Sequence, residues 1–196
     1  MEKINKKDIR LQTKEALQDF FVSHGAPSFK GGQVYQWLWQ KGAHDFDIMT
    51  NLSLEHRNIL KSYFEIKHIN IDAEQRSSDG TIKNAVKLHD QLVVESVLIP
   101  TASRTTACVS SQVGCSLDCV FCATAALKRM RNLNADEIYD QVIAIDLQSK
   151  LYHNRPLSNI VFMGMGEPLM NYKNVIAAID KITHPEGLAM SPKRIT

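Results

Sequence analysis

The chain has 196 residues, of which 44% are hydrophobic and 22% are charged, with a formal net charge of +2. This composition is ordinary for a globular protein with a sizeable core, and the absence of an apolar run near bilayer length argues against a membrane-spanning protein. The segment Met1–Lys7 has no apolar stretch of the kind found in a signal peptide, so we expect a cytoplasmic protein with no membrane partner.

Basic residues concentrate in two short runs. They are Lys3, Lys6, Lys7 and Arg10 near the start, and Lys128, Arg129 and Arg131 later in the chain. Such runs can neutralise a few phosphates of a nucleic acid, or they can form solvated charged surface. A net charge of +2 alone is a weak argument for a nucleic-acid partner.

Residues 1–64 are predicted to form a small helical domain. Thr13 is a plausible N-cap of a first helix, which Gly25 and Pro27 end. The second helix ends at Gly42 and the third starts at Ser53. Apolar residues at helical spacing are expected in the core: Leu17, Phe20, Phe21, Val34, Trp37, Leu38, Ile59, Leu60, Tyr63 and Phe64. For the aromatic residues we favour a core role over stacking on RNA bases, and Trp39 lies off the main stripe.

Residues 65–102 change to an alternating pattern and are predicted to form an antiparallel β connector. A turn at Asp79–Gly80 precedes strands over 82–88 and 92–99. Glu95 shares one strand face with Val93, Val97 and Ile99. A carboxylate on such a face either lies at a sheet edge, where it reaches water, or is buried with a raised pKa that suits a general base.

Residues 103–196 alternate strand and helix, which predicts an α/β fold and the first part of a (β/α) barrel. Strands are expected over 106–110 and 159–163, with a third starting at 193. A capping box formed by Asn134 and Glu137 opens one helix, and a second helix covers 174–183. The core side of these helices is predicted from Ile138, Val142, Ile145, Val175, Ile179 and Ile182.

Four cysteines lie between positions 108 and 122, and Cys115, Cys119 and Cys122 have the spacing C-x3-C-x2-C in the loop after the first barrel strand. Three thiolates can hold a [4Fe-4S] cluster and leave one iron open, whereas zinc would take all four cysteines. Unligated cysteines are the third alternative. Phe121 between two of the cysteines and the lack of a nearby histidine favour the cluster.

The segment Gly164–Pro168 follows the second barrel strand and is expected at the same end of the sheet as the cysteines. Gly166 would let the backbone approach a ligand closely, and the carboxylate of Glu167 can bind the ammonium group of an amino-acid-like cofactor. The alternative is a strand-ending turn with a surface glutamate. The nearby cysteine loop makes the ligand interpretation the favoured one.

The cysteine spacing resembles that of radical S-adenosylmethionine (SAM) enzymes, and further segments resemble the RlmN/Cfr group of rRNA adenine methyltransferases. Those segments are residues 45–52, 94–100, 108–115, 131–133 and 164–172, so the resemblance covers essentially the whole chain. It implies a [4Fe-4S] cluster on Cys115, Cys119 and Cys122, and SAM bound near Gly166 and Glu167. It also implies an external one-electron reductant.

The resemblance further implies methylation at C2 of an adenine in 23S rRNA, and in many members of a tRNA adenine. In this group a methyl group passes to a cysteine near the C-terminus and then to the base through a protein–RNA crosslink. Glu95 matches the base that removes the C2 proton, and Cys108 matches the thiol that resolves the crosslink. Methylation at C8, as in Cfr-type proteins, is the alternative within the class, and a zinc-stabilised RNA-binding module is the alternative outside it.

Two expectations concern the state of the chain. We expect a monomer. The sequence contains two complete βα units and the start of a third, whereas a barrel of this class needs about six. We therefore expect the chain to stop within the barrel, to lack the methyl-carrying cysteine and to be unable to methylate RNA alone.

Overall fold

The computed structural model describes residues 6–196, so the predictions that concern Lys3 and the segment before it lie outside the described residues. The chain divides into two compact units. One comprises the residues up to Lys67 together with Pro185–Leu188, and the other comprises His68–His184 together with Ala189–Thr196. The predicted limits at residues 64 and 102 remain predictions.

The first unit contains the three predicted helices and one short sheet. Its elements are β1 (Lys7–Asp8), α1 (Lys14–Ser23), α2 (Phe29–Trp39), α3 (Leu54–Tyr63) and β2 (Phe64–Glu65), with β1 parallel to β2. The Thr13 hydroxyl accepts the Ala16 N–H at 3.1 Å and so caps α1, as predicted. Past the end of α1, Gly25 adopts a φ of +74°.

The core of the first unit corrects two aromatic predictions. Leu17, Phe21, Val34, Leu38 and Leu60 are buried as expected. However, Tyr63 is 52% exposed, and it is Trp39 that is buried, at 3% exposure. The indole of Trp37 lies half-buried because its N–H donates to the Asn51 side chain at 2.5 Å and Lys41 lies over its ring. These two surface partners keep the polar edge of the Trp37 indole out of the core.

The second unit is built on a five-stranded sheet. Its strands are β3 (Asn70–Arg76), β4 (Ile82–Lys87), β5 (Val93–Pro100), β6 (Thr105–Cys108), β7 (Gln112–Val113), β8 (Arg131–Asn132) and β9 (Asn159–Val161), and its helices are α4 (Ala135–His153) and α5 (Tyr172–Thr183). The sheet order is β3-β4-β5-β6-β9, in which only the β6–β9 pair is parallel. The predicted antiparallel strands and the first barrel strands therefore share one sheet. Strands β7 and β8 form a separate antiparallel pair.

The two faces of this sheet have different environments. Val94 and Leu98 of β5 point to the buried face, where apolar residues of α4 and α5 such as Ile138 and Val175 also lie in the core. The capping box of Asn134 and Glu137 opens α4 as predicted. The opposite face carries Glu95, Val97 and Cys108, because β5 and β6 pair Val97 with Cys108. The α/β class predicted from the sequence is confirmed.

Near the end of the second unit the structure departs from the prediction of a strand from residue 193. Pro192–Arg194 form a 3-10 turn, and only then does Ile195 bridge in parallel to Ile160 of β9. Proline fixes the backbone in a turn conformation, which delays the strand. Within the described residues, no helix is long and apolar enough to cross a membrane.

Candidate cofactor and metal site

The cysteine loop, residues 114–130, connects β7 to β8 and is closed by backbone hydrogen bonds at its base. The Cys115 N–H donates to the Leu127 carbonyl at 3.2 Å, and the Met130 N–H donates to the Val113 carbonyl at 2.8 Å. Gly114 adopts a φ of +72°, and a Cβ atom there would lie 2.3 Å from the Lys128 carbonyl oxygen. Only glycine lets the two sides of the loop approach this closely.

The three thiols of the cysteine loop are accessible and free. Cys119 is exposed, whereas Cys115 and Cys122 are half-buried. Backbone N–H groups of Thr124 and Ala125 lower the pKa of the Cys122 thiol, because they stabilise the thiolate. Three free thiols on one loop, one of them acidified, have the chemistry that an iron–sulfur cluster requires of its ligands.

The loop is open in this structure. Between residues 6 and 196, no three His, Cys, Asp or Glu side chains are grouped so as to hold a metal ion. Phe121, whose position between two cysteines favoured the cluster interpretation, is 94% exposed, and Val120 beside it is fully exposed. Cluster binding would therefore require the three thiols to come closer together.

Cys108 and Glu95 lie apart from the cysteine loop, on one face of the five-stranded sheet. The Cys108 side chain is buried in β6, and burial raises the pKa of its thiol. Glu95 is about half exposed, and its carboxylate lies 2.6 Å from the Lys83 ammonium on the neighbouring strand. Glu95 thus reaches water, but from a central strand and not from a sheet edge, so neither sequence alternative holds completely.

The loop after β9 packs closely on the segment that precedes the cysteine loop. A Cβ atom at Gly166, where φ is +92°, would lie 2.5 Å from the Cβ atom of Gln112, and one at Gly164 would lie 2.7 Å from the Ser110 hydroxyl. The sequence suggested that glycine admits a ligand here. The contact that the structure shows is with the chain itself.

Glu167 is half-buried at the start of a 3-10 turn, Pro168–Asn171. One of its carboxylate oxygens accepts the Leu169 N–H at 2.9 Å and caps the turn. Within residues 6–196 no hydrogen bond is made by the second oxygen, so that oxygen can still accept a hydrogen bond from a cationic group. The turn and the ligand interpretations of this glutamate are therefore compatible.

Two polar residues that sequence reasoning did not select connect these parts. The Ser110 hydroxyl donates to the Glu95 carbonyl at 2.5 Å and accepts the Met165 N–H at 2.8 Å. Gln112 contacts both the loop after β9 and β8. Their only signal in the sequence was their place between Cys108 and Cys115.

A further connecting residue is Arg131, at the end of the cysteine loop. Its guanidinium donates to both oxygens of Glu137 at 2.8 Å and to Asp90 at 2.6 Å. From the sequence, Arg131 was one of the basic residues expected either to bind phosphate or to be solvated, and the structure shows it in neither role. It fastens β8 to the start of α4 and to the turn before β5.

An open surface depression of about 390 Å³ lies between the end of the cysteine loop and the start of α5. Its lining comprises Asn132 together with Leu169–Asn174. The Asn132 amide donates to the Met170 carbonyl at 3.4 Å, and Leu169 is 76% exposed. The depression is open and its apolar lining is exposed, in contrast to the enclosed pockets that usually bind small molecules.

Comparisons with known proteins match both units. The family model "Ribosomal RNA large subunit methyltransferase N-terminal domain" matches residues 8–66, and the model "Radical SAM superfamily" matches residues 109–193. A crystal structure of a radical SAM methyltransferase from Sphaerobacter thermophilus superposes with a TM-score of 0.85 at 34% identity, covering 96% of this chain and 55% of that one. The fold and the cysteine loop thus define a radical SAM protein, a class that uses SAM and a [4Fe-4S] cluster.

Two curated relatives narrow the assignment. A protein of Christiangramia forsetii named "Probable dual-specificity RNA methyltransferase RlmN" is 75% identical over 194 residues, which is 99% of this chain and 55% of that protein. A "Dual-specificity RNA methyltransferase RlmN" of Geotalea uraniireducens is 43% identical, over 100% of this chain and 54% of that protein. The chain belongs to the RlmN family, and it spans about half the length of the curated relatives it matches.

Proposed function

We propose that this chain forms the cluster-binding and SAM-binding part of a radical SAM methyltransferase that methylates C2 of an adenine in 23S rRNA and in tRNA. The observation that supports the proposal is the cysteine loop with its three free thiols, since the segment that leads into it is hydrogen-bonded, through Gln112, to the loop that contains Glu167. The names of the relatives support an RNA substrate, and they favour the RlmN reaction at C2 over the Cfr-type reaction at C8. The same proposal includes a cytoplasmic location and a monomeric state for the protein.

Cys115, Cys119 and Cys122 would hold the [4Fe-4S] cluster, and Cys108 would not. When bound, the cluster supplies one electron, received from an external reductant, for the cleavage of SAM. The backbone at Gly166 and the carboxylate of Glu167 would orient the amino-acid part of SAM, since a carboxylate binds an ammonium group through charge-assisted hydrogen bonds. Adenine C2 has no nucleophilic lone pair, so an ordinary displacement on SAM cannot methylate it.

Glu95 and Cys108 are the residues that we propose act on the RNA adduct. Glu95 would take the proton from C2, and the Lys83 ammonium at 2.6 Å keeps a positive charge beside the carboxylate. Cys108 would resolve the crosslink. Both residues lie on the sheet face opposite to the helices, and this shared location supports their joint action.

The experiment that tests the proposal is SAM cleavage by the chain after anaerobic reconstitution with iron and sulfide. With dithionite as reductant, we expect 5′-deoxyadenosine from the wild type and none from Cys119→Ala. The matched control is Cys108→Ala, which should keep the cleavage activity. Bound zinc on all four cysteines, with no cleavage of SAM, would contradict the proposal and favour the RNA-binding module.

The site of methylation is tested with a protein that carries this chain at the full length of its relatives. We expect mass spectrometry of a 23S rRNA fragment to locate the methyl group on adenine C2. In that protein Glu95→Gln should still cleave SAM but accumulate a protein–RNA adduct, because only proton removal is blocked. Release of methylated RNA by Glu95→Gln at the wild-type rate would show that Glu95 is only a surface charge.

A further inference from the structure

Gln112 is a fully buried polar side chain that spans the two halves of the candidate site. Its amide oxygen accepts the Glu167 N–H at 2.9 Å, and its amide nitrogen donates to the Asn132 side chain at 2.7 Å. Glu167 belongs to the loop after β9, and Asn132 belongs to β8, where the chain returns from the cysteine loop. One side chain thus ties the candidate SAM-binding loop to the base of the cysteine loop.

The packing around Gln112 leaves little room for either loop to shift. Gly166 lies directly on the Gln112 side chain, where a Cβ atom would be 2.5 Å from the glutamine Cβ atom. The Met165 carbonyl also accepts the Gln112 backbone N–H, at 3.2 Å. Glu167 is therefore fixed in two ways: the preceding residue, Gly166, packs on the Gln112 side chain, and the Glu167 N–H donates to the Gln112 amide oxygen. The position of Glu167 thus depends on that of Gln112.

The two hydrogen bonds require an amide at this position. The oxygen of the amide faces a donor, and its nitrogen faces the Asn132 oxygen, an orientation assigned from this network. A methionine of similar length would remove the acceptor of the Glu167 N–H and the donor to Asn132, which are both half-buried, and would leave the Asn132 oxygen only the longer contact of 3.4 Å from Arg129. A glutamate would keep the acceptor for Glu167, and the Asn132 amide could turn to donate to it.

We propose that Gln112 is a positioning residue for SAM, which sets the place of the Glu167 carboxylate relative to the cysteine loop. This inference rests on the proposed function. If Gln112 served only for folding, its loss would lower iron content and SAM affinity together. The inference predicts that only SAM affinity changes, because Gln112 contacts the base of the cysteine loop but none of its thiols. Iron content should be insensitive to Gln112, and SAM affinity should be sensitive to it.

The test compares Gln112→Met with Gln148→Met in the reconstituted chain. Gln148 is a matched control, since it is also a buried glutamine with hydrogen bonds, to Asn84 and Glu74, on the helix side of the sheet. Iron is counted, and SAM affinity is measured by titration of the reduced cluster, followed by its paramagnetic resonance signal. We expect wild-type iron content in both variants and a SAM dissociation constant about tenfold higher in Gln112→Met alone.

Each outcome has a separate meaning. Unchanged SAM affinity in Gln112→Met would overturn the inference, and so would a loss of iron in parallel with the loss of SAM binding. Failure of the wild type to bind SAM would contradict the proposed function instead. If Gln112→Met does not fold, the test is made with Gln112→Glu, which keeps the acceptor for the Glu167 N–H. Wild-type iron content with a SAM dissociation constant within about threefold of the wild-type value supports the inference. Wild-type iron content with a SAM dissociation constant raised beyond that overturns it.

Discussion

The ionic network at Arg131 leads to a prediction about the stability of the second unit. Glu137 is only 3% exposed, and its two oxygens are each 2.8 Å from the Arg131 guanidinium. Without Arg131, the buried Glu137 carboxylate keeps only the His89 ring at 3.2 Å and the Asn134 N–H at 2.9 Å, and breaking a buried ion pair by removing one partner costs about 3–5 kcal/mol. Because the Arg131 side chain is about a quarter exposed, we expect Arg131→Met to lower the free energy of unfolding by about 3 kcal/mol, the lower end of that range.

The double variant Arg131→Met/Glu137→Met provides an internal check. It removes both charges and should be less destabilised than Arg131→Met, although α4 loses the bond from the Asn134 N–H to Glu137, worth about 1 kcal/mol. The control is Lys150→Met on the same helix, which removes an exposed pair with Asp146 and should cost less than about 0.5 kcal/mol.

Hydrogen exchange of the α4 amides measures these free energies for the second unit alone. The pH dependence is a further check, since Arg131 lowers the pKa of Asp90. A carboxyl whose pKa is lowered by folding stabilises the fold above its ordinary pKa, and this contribution is lost as the pH falls. The difference in the free energy of unfolding between wild type and Arg131→Met should therefore shrink in acid. An Arg131→Met variant no less stable than Lys150→Met would refute the reasoning.

Two further predictions concern the candidate site. Gly166→Ala should destabilise the second unit by about 2 kcal/mol or more, because φ is +92° and the new methyl group would overlap Gln112. Gly32→Ala inside α2 should be neutral or stabilising, because a Cβ atom there would make only an ordinary contact, 3.7 Å from Lys14 Cε. Thermal unfolding checks both variants, and equal effects would contradict the packing argument. In the metal-free chain, iodoacetamide should alkylate Cys122 at a lower pH than Cys108, because backbone N–H groups lower the pKa of the Cys122 thiol and burial raises that of the Cys108 thiol. Mass spectrometry of the alkylated peptides measures the order, and alkylation of Cys108 first would contradict the prediction.

Much of the fold could be predicted because it depends on local patterns. The N-cap at Thr13 and the capping box of Asn134 and Glu137 are short-range signals, and both are confirmed. The prediction for Tyr63 was wrong because helical spacing does not tell which side of a stripe meets the core. Trp37 and Trp39 exchanged roles because a surface partner, Asn51, was not visible in the local pattern.

The candidate site was less predictable because it depends on contacts between distant segments. Spacing alone located the cysteine loop, but it could not show that Gln112 bonds to residues 20 and 55 positions away. The partners of Arg131 are likewise set by the sheet, which brings Asp90 beside β8. The glycine at 166 was recognised as a close approach, while the group that it approaches became known only from the structure.

The central claim is that Cys115, Cys119 and Cys122 hold a cluster and leave Cys108 free. The most direct measurement is anaerobic reconstitution of the chain, followed by counting of iron, sulfide and zinc in the wild type and in Cys108→Ala and Cys122→Ala. A [4Fe-4S] cluster predicts four irons and four sulfides per chain in the wild type and in Cys108→Ala, and loss of the cluster in Cys122→Ala. Zinc in place of iron, or loss of the cluster in Cys108→Ala, would contradict the account.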